Sequence, residues 1–297
     1  MKDAKAHAAA TVAASIAGLT VIFTSLLMQS VDPLLATTLR YLVASVSILP
    51  FLILNWPSVR AISLRDLIAI SVLGLLFYFL FPFLFNQSLE RTTAARGSLI
   101  MSLLPILALS LGVLFRVESL NRFKIMGCGL AVIGVALSVY DGLSSGSTGA
   151  EAVQGDFIMI AAVTVAASFT VFSKHYFQKY GAWAVTNVAI CAGFLLPLPV
   201  TSLVLDFDIL SDLTSVEWTL LILLGTLGVP VQFGLFSWSL NQLGPSRGSM
   251  YIVLMPMTAT LLAVIALNEA VTDLFVLGLL LVIAAIIMVN RNPQPRA

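Results

Sequence analysis

SLERTTAARGSLIMSLLPILALSLGVLFRVE, from Ser88 to Glu118, and SLNQLGPSRGSMYIVLMPMTATLLAVIALNE, from Ser239 to Glu269, align without a gap at an offset of 247 − 96 = 151 residues. Arg96, Gly97 and Ser98 meet Arg247, Gly248 and Ser249. Pro105 meets Pro256, Glu118 meets Glu269 and, just beyond, Gly127 meets Gly278. Leucine and valine coincide by chance in apolar sequence. Arginine, proline and glutamate do not readily do so at one fixed offset, so the chain carries an internal repeat.

The rest of the chain says what is repeated. Its 297 residues carry 15 basic and 14 acidic side chains, 59% are apolar, and the mean hydropathy is +1.04. So few charges cannot cover the surface of a water-soluble globule, and so much apolar surface excludes disorder. A net charge of +1 leaves no footprint for nucleic acid. The two cysteines, Cys128 and Cys191, lie in apolar runs and build no disulfide framework.

The fold class read from this pattern is all-α integral membrane, with ten transmembrane helices in two inverted five-helix repeats. The spans are read at 8–28, 34–54, 66–86, 97–115, 124–140, 156–174, 182–204, 216–238, 247–267 and 272–290. The first repeat is 8–140, the second 156–291, and 141–155 (DGLSSGSTGAEAVQG) reads as a flexible linker. The N-terminal run is a full span without a cleavage site and reads as a retained first helix. With the N-terminus in the cytoplasm, twelve basic residues fall inside and three outside (Arg40, Arg91 and Arg96), while only Asp3, Asp66 and Glu118 of the acids fall inside. Both termini are then cytoplasmic in a bacterial-type inner membrane. Trp56, Trp183 and Trp218 near helix ends read as interfacial anchors. Five spans per repeat, an odd number, make the second half enter the bilayer in the opposite sense. Inverted repeats recur in secondary transporters, where exchange of the two halves' conformations opens a central site to either side.

Ten spans, two five-helix halves and the paired arginine–glycine–serine to proline to glutamate pattern resemble the drug/metabolite transporter superfamily. The chain is most similar there to the EamA-type permeases, which include bacterial exporters of aromatic and small amino acids. The resemblance implies a basket of helices around a cavity lined mainly by helices 1, 3, 4, 6, 8 and 9, with 5 and 10 at the periphery and rocking of the halves as the transport step.

Pro105 and Pro256 lie in helices 4 and 9, where proline frees a carbonyl and kinks the helix. They are read as hinges, with Arg96 and Arg247 as candidate gate residues at the same helix starts. Tyr78, about 18 Å along helix 3 from Asp66 by the helical rise, shares an i, i+3, i+7 face with Phe81 and Phe85 and is the expected aromatic wall. Tyr251 is its candidate partner from the second half. Thr24, Ser98, Ser102, Ser168 and Gln232 are the polar candidates for substrate binding. A serine or threonine in a membrane helix more often bonds its own backbone, and Gln232 stands apart because an amide has four hydrogen-bonding sites to satisfy. Arg40, about two turns into helix 2, reads as a snorkelling residue or a partner of Asp32.

No HExxH occurs, and the two histidines, His7 and His175, lie at helix edges. No enzyme, no catalytic residue, no metal and no cofactor is read. The implied partners are a small-molecule solute and the lipid bilayer, with the chain as monomer or homodimer. The leading reading is an alternating-access carrier that exports an amino acid or a similar small neutral or zwitterionic metabolite, down its gradient since no carboxylate lies deep in a span. An uptake carrier for a flat heterocycle or vitamin is the alternative, and a channel or non-transport membrane protein the alternative of another class.

Overall fold

The computed structural model describes residues 2–115, 122–144, 149–204, 210–243, 251, 254–267 and 271–290. Every regular element among them is helical. In chain order the principal helices are α1 (Lys2–Leu27), α2 (Pro33–Leu54), α3 (Leu64–Leu89), α4 (Ala94–Leu114), α5 (Arg122–Ser144), α6 (Gly149–Tyr180), α7 (Trp183–Val204), α8 (215–243), α9 (Leu254–Leu267) and α10 (Asp273–Asn290). Among the described residues seven, α1 to α4 and α6 to α8, are long and apolar enough to cross a membrane, and α5, α9 and α10 carry shorter apolar stretches. Large apolar side chains such as Val46, Ile133, Leu203 and Leu261 point outwards, as an apolar solvent permits.

Local sequence sets the helix starts. Asp32 accepts from the backbone N–H groups of Leu34 (2.8 Å) and Leu35 (3.1 Å), with Pro33 in the first turn. Ser63 caps α3 through the N–H of Asp66. Thr214 and Glu217 form a reciprocal capping box at α8. Asp66 and Glu217 are separated by the repeat offset, 217 − 66 = 151, and both reach a neighbouring helix. The Asp66 carboxylate accepts from Lys179 (2.7 Å) and Tyr180 (2.6 Å) at the end of α6. The Glu217 carboxylate accepts from the Ser30 hydroxyl just beyond α1.

The same offset recurs in irregular backbone. α3 contains a π turn at Leu76–Leu80 and α8 one at Leu227–Val231. Just before them lie Gly74 and Gly225, again 151 apart. A Cβ on Gly74 would sit 2.4 Å from the Ala189 carbonyl oxygen of α7, and one on Gly225 2.6 Å from Val43 Cβ of α2. These glycines let the helix backbones approach.

Helix pairing follows the repeat. α1 packs on α8 and α9, and α6 packs on α3 and α4. α2 lies on α8 while α7 lies on α3, and α2–α7, α4–α9 and α5–α10 also pair. Exchanging each helix of the first five for its counterpart in the second five leaves this set unchanged.

Two expectations differ in detail. The 141–155 segment is helical at both ends, because α5 runs through Ser144 and α6 begins at Gly149. Ala150, Glu151, Ala152 and Gln154 are good helix formers and carry α6 beyond its apolar run. α4 is broken into Ala94–Met101 and Leu104–Leu114, since Pro105 has no N–H to continue the ladder.

Gly74→Ala or Gly225→Ala is expected to lower the thermal midpoint of the detergent-solubilised protein, by the equivalent of about 1–3 kcal/mol for overpacking. A Cβ on Gly129 would meet nothing within 4 Å, so Gly129→Ala is expected to leave the midpoint unchanged or raise it. Equal midpoints for all three variants would contradict the close approach.

Candidate functional site

A cavity of about 960 Å³, its open mouth included, lies where the two groups of five helices meet. α3 and α8 form facing walls. Phe77, Phe81, Pro82 and Phe85 come from α3, and Gly228, Gln232, Phe233 and Phe236 come from α8. These are the same four positions at the 151-residue offset. Leu104 of α4 and Met255 of α9 form a fifth such pair. α1 contributes Ala13, Ala14, Ala17, Thr20 and Val21, and α2 contributes Arg40 and Tyr41.

The helices around this cavity differ by one from the set that the resemblance implied. α2 lines it and α6 does not, because Phe169 of α6 stacks on Phe77 with ring centroids 4.3 Å apart and fills the space on that side.

Phe81 and Gln232 are the candidate binding residues that reach the cavity. Tyr78 does not line it. The ring is 1% exposed and lies edge-on to Phe77 and Tyr41, and a Cβ on Gly193 of α7 would stand 2.5 Å from Tyr78 Cβ. The π turn is the physical reason. It adds a residue to one hydrogen-bonded ring, which rotates the following positions by about 100° relative to an uninterrupted helix. Phe77, Phe81 and Phe85 therefore share the face that an unbroken α-helix would give to Tyr78, Phe81 and Phe85.

The hydroxyl candidates are used locally. Ser98 donates to the Ala95 carbonyl (2.8 Å), Ser102 to Ser98 (3.0 Å) and Ser168 to Thr164 (2.9 Å). Thr24 is buried away from the cavity, and its hydroxyl has no hydrogen-bond partner. Tyr251 hydrogen-bonds His7 Nδ1 through its hydroxyl at 2.6 Å, joining the start of α1 to the residues before α9. Pro105 opens the second segment of α4, and Pro256 is buried near the start of α9. Arg247, Glu118 and Glu269 lie outside the described residues.

Arg96 is buried in an ion pair. Its Nη2 donates to Asp156 Oδ2, while Thr92 Oγ1 donates to Asp156 Oδ1 at 2.7 Å. Beside them Ser88 donates to the Gly155 carbonyl at 2.7 Å. The pair fastens the start of α4 and the preceding loop to α6. Asp156 stands at the start of the sixth span, and nothing in its sequence neighbourhood marks it, since only tertiary packing brings it to Arg96.

Arg40 was expected to snorkel or to pair with Asp32. Asp32 instead caps α2, and the Arg40 side chain lines the cavity. Among the described residues the cavity thus carries one cation, Arg40, together with aromatic rings.

Comparison with known proteins fits this architecture. The model of the EamA-like transporter family matches the chain twice, over residues 4–140 and 153–291. The chain therefore belongs to the EamA-like transporter family and is a membrane transporter, not an enzyme. It is 24% identical to the transporter YetK of Bacillus subtilis (strain 168), over 100% of this chain and 90% of that one. It is also 24% identical to a transporter of Archaeoglobus fulgidus, covering 89% and 91%. A probable terminal-alkyne amino-acid exporter of Streptantibioticus cattleyicolor is 24% identical, covering 80% and 78%. A solved crystal structure shares the fold with a TM-score of 0.58 at 18% identity, covering 93% of this chain and 95% of that one.

Asp156→Asn leaves the Arg96 guanidinium buried without its counter-charge. The expected cost is about 3–5 kcal/mol, read as a large fall in thermal midpoint. Replacing both partners with apolar residues of similar volume is expected to recover most of it. A midpoint unchanged by Asp156→Asn would remove the pair from the account of stability.

Proposed function

We propose that this member of the EamA-like transporter family is a ten-span inner-membrane carrier that exports an amino acid or a similar small neutral or zwitterionic metabolite by alternating access. The observation that carries the reading is the cavity between the two halves, whose α3 and α8 walls are related position by position through the repeat offset. A site on such a boundary changes its exposure when the halves rock against each other. The twofold match of one family model and the exchange-invariant helix pairing support an inverted repeat.

The aromatic walls offer apolar area to an amino-acid side chain, and Gln232 and Thr20 offer neutral polar contacts. The amino-acid exporter among the relatives points to the same class of cargo. The described lining holds no carboxylate or histidine that would take up a proton in the cycle, which favours movement down the solute gradient. Leu27, Met28, Leu35, Leu89 and Leu99, at the ends of α1 to α4 assigned to the outer face, are buried in one cluster. In this reading the outer face is closed and Arg96–Asp156 helps to hold it so. Pro105 and Pro256 are the hinges, and Phe81 and Gln232 the leading contacts.

Overproduction is expected to shift one small amino acid or related solute from cytoplasm to medium, seen by profiling metabolites in both. Phe81→Ala and Gln232→Leu should reduce that shift at equal protein level. Accumulation inside the cell would reverse the direction, and an unchanged partition would refute the export reading. In proteoliposomes a carrier shows flux accelerated by solute on the far side, which a channel does not. A membrane-impermeant thiol reagent is expected to spare cysteines added at either terminus in intact cells and to label them in inverted vesicles. Labelling in intact cells would overturn the orientation.

A further inference from the structure

We infer that Arg40 is the anion-binding residue of the cavity, and that the cargo is a monocarboxylate whose carboxylate docks on Arg40 and whose apolar or aromatic body lies against the α3 and α8 walls. The inference rests on the carrier reading and revises its cargo, since it excludes a neutral solute without a carboxylate and admits an anionic one. It begins from an imbalance of charge. Arg40 lines the cavity, its Nε is buried without a hydrogen-bond partner, and among the described residues no carboxylate pairs with it. Asp32, the acid nearest in sequence, accepts from the backbone at the start of α2. The contact with the Tyr41 ring, 5.8 Å from centroid to guanidinium carbon, leaves the hydrogen-bond donors unused.

A guanidinium does not shed its proton. An unpaired one inside a membrane protein is costly and marks a functional position. The surroundings are shaped to hold it there. A Cβ on Gly228 would stand 3.2 Å from Arg40 Nη2 and 2.9 Å from Thr20 Cγ2, so the glycine leaves room for the guanidinium between α1 and α8. One turn earlier, a Cβ on Gly225 would stand 2.8 Å from the Arg40 carbonyl oxygen, so the backbone of α2 is held close as well.

The guanidinium fork matches a carboxylate through two parallel hydrogen bonds. The rings that line the same cavity, among them Tyr41, Phe77, Phe81 and Phe233, supply an apolar enclosure. The described lining holds no acid for a cargo ammonium group. Charge recognition is therefore one-sided, and the carboxylate rather than the ammonium carries it. An amino acid meets the requirement, and so does an aryl or branched-chain acid without an amine.

The test compares 3-phenylpropionate with 3-phenylpropanamide, which differ only in the anion, by ligand-induced thermal shift and equilibrium binding to the detergent-solubilised full chain. The acid is expected to bind and the amide to bind at least about tenfold more weakly, the factor expected for a lost charge-assisted hydrogen bond. Arg40→Gln should abolish the preference for the acid, and Arg40→Lys should retain part of it. Without ligand, Arg40→Gln is expected to match or exceed the wild-type midpoint, because an uncompensated buried charge is removed. A lowered midpoint would make Arg40 a structural group and overturn the proposal. So would equal binding of acid and amide, an acid preference that survives Arg40→Gln, or no binding of either compound. Arg40-dependent binding without flux in proteoliposomes would instead refute the carrier reading and leave the anion site standing.

Discussion

The cavity depends on how closely two pairs of helices approach. Gly74 of α3 meets the backbone of α7, and Gly225 of α8 meets α2. In lipid there is no hydrophobic drive to bring helices together, so contact between backbones has to supply much of the association. Two such points at symmetric positions draw α3 and α8 onto their neighbours on opposite sides. The π turns follow within a few residues of each glycine. Each turns the remaining part of its helix so that the 77–85 and 228–236 faces look at one another. Close approach before the turn and rotation after it leave the space between the walls open.

The repeat was legible in sequence because it rests on backbone-determining residues. Proline, glycine and helix-capping residues act locally, and their spacing survives in the chain as one offset. Membership of the cavity was less legible. The stripe Tyr78, Phe81, Phe85 follows from an uninterrupted 3.6-residue period, and one π turn replaces Tyr78 with Phe77. The flanking prolines do not betray the turn, since Pro82 follows the first and Pro230 lies within the second. The hydroxyl candidates were misleading for another reason: a serine on a helix meets its own carbonyl before it meets a ligand.

Charged residues show the same limit from the other side. Arg40 and Arg96 both fall on the outer side in the sequence reading, Arg40 as a snorkelling residue or partner of Asp32 and Arg96 as a gate residue. Packing separates them. Arg96 faces Asp156 from a different half of the chain, at a separation of sixty residues, and becomes a fastener. Arg40 faces a glycine on α8 and an aromatic cavity, and keeps its donors free. Neither outcome is a property of the residue or its neighbours in sequence. Each is set by what the second half brings to that depth.

Symmetry in the scaffold and asymmetry in its chemistry then divide the work. Equivalent positions in the repeat carry Phe81 and Gln232, and Phe77 and Gly228, so α3 is aromatic at positions where α8 is polar or open. Arg40 adds a cation on the α2 side, while Phe169 closes the α6 side. In the alternating-access cycle proposed above, a symmetric scaffold would let the two halves exchange conformations at similar cost, because each would make the contacts that the other gives up. A symmetric lining would bind a solute equally well in two orientations. In the proposed site the asymmetric lining would fix a single orientation, with the polar end toward Arg40 and Gln232 and the apolar end toward the phenylalanines. In the proposed carrier the repeat would thus account for movement, and the departures from the repeat for selection.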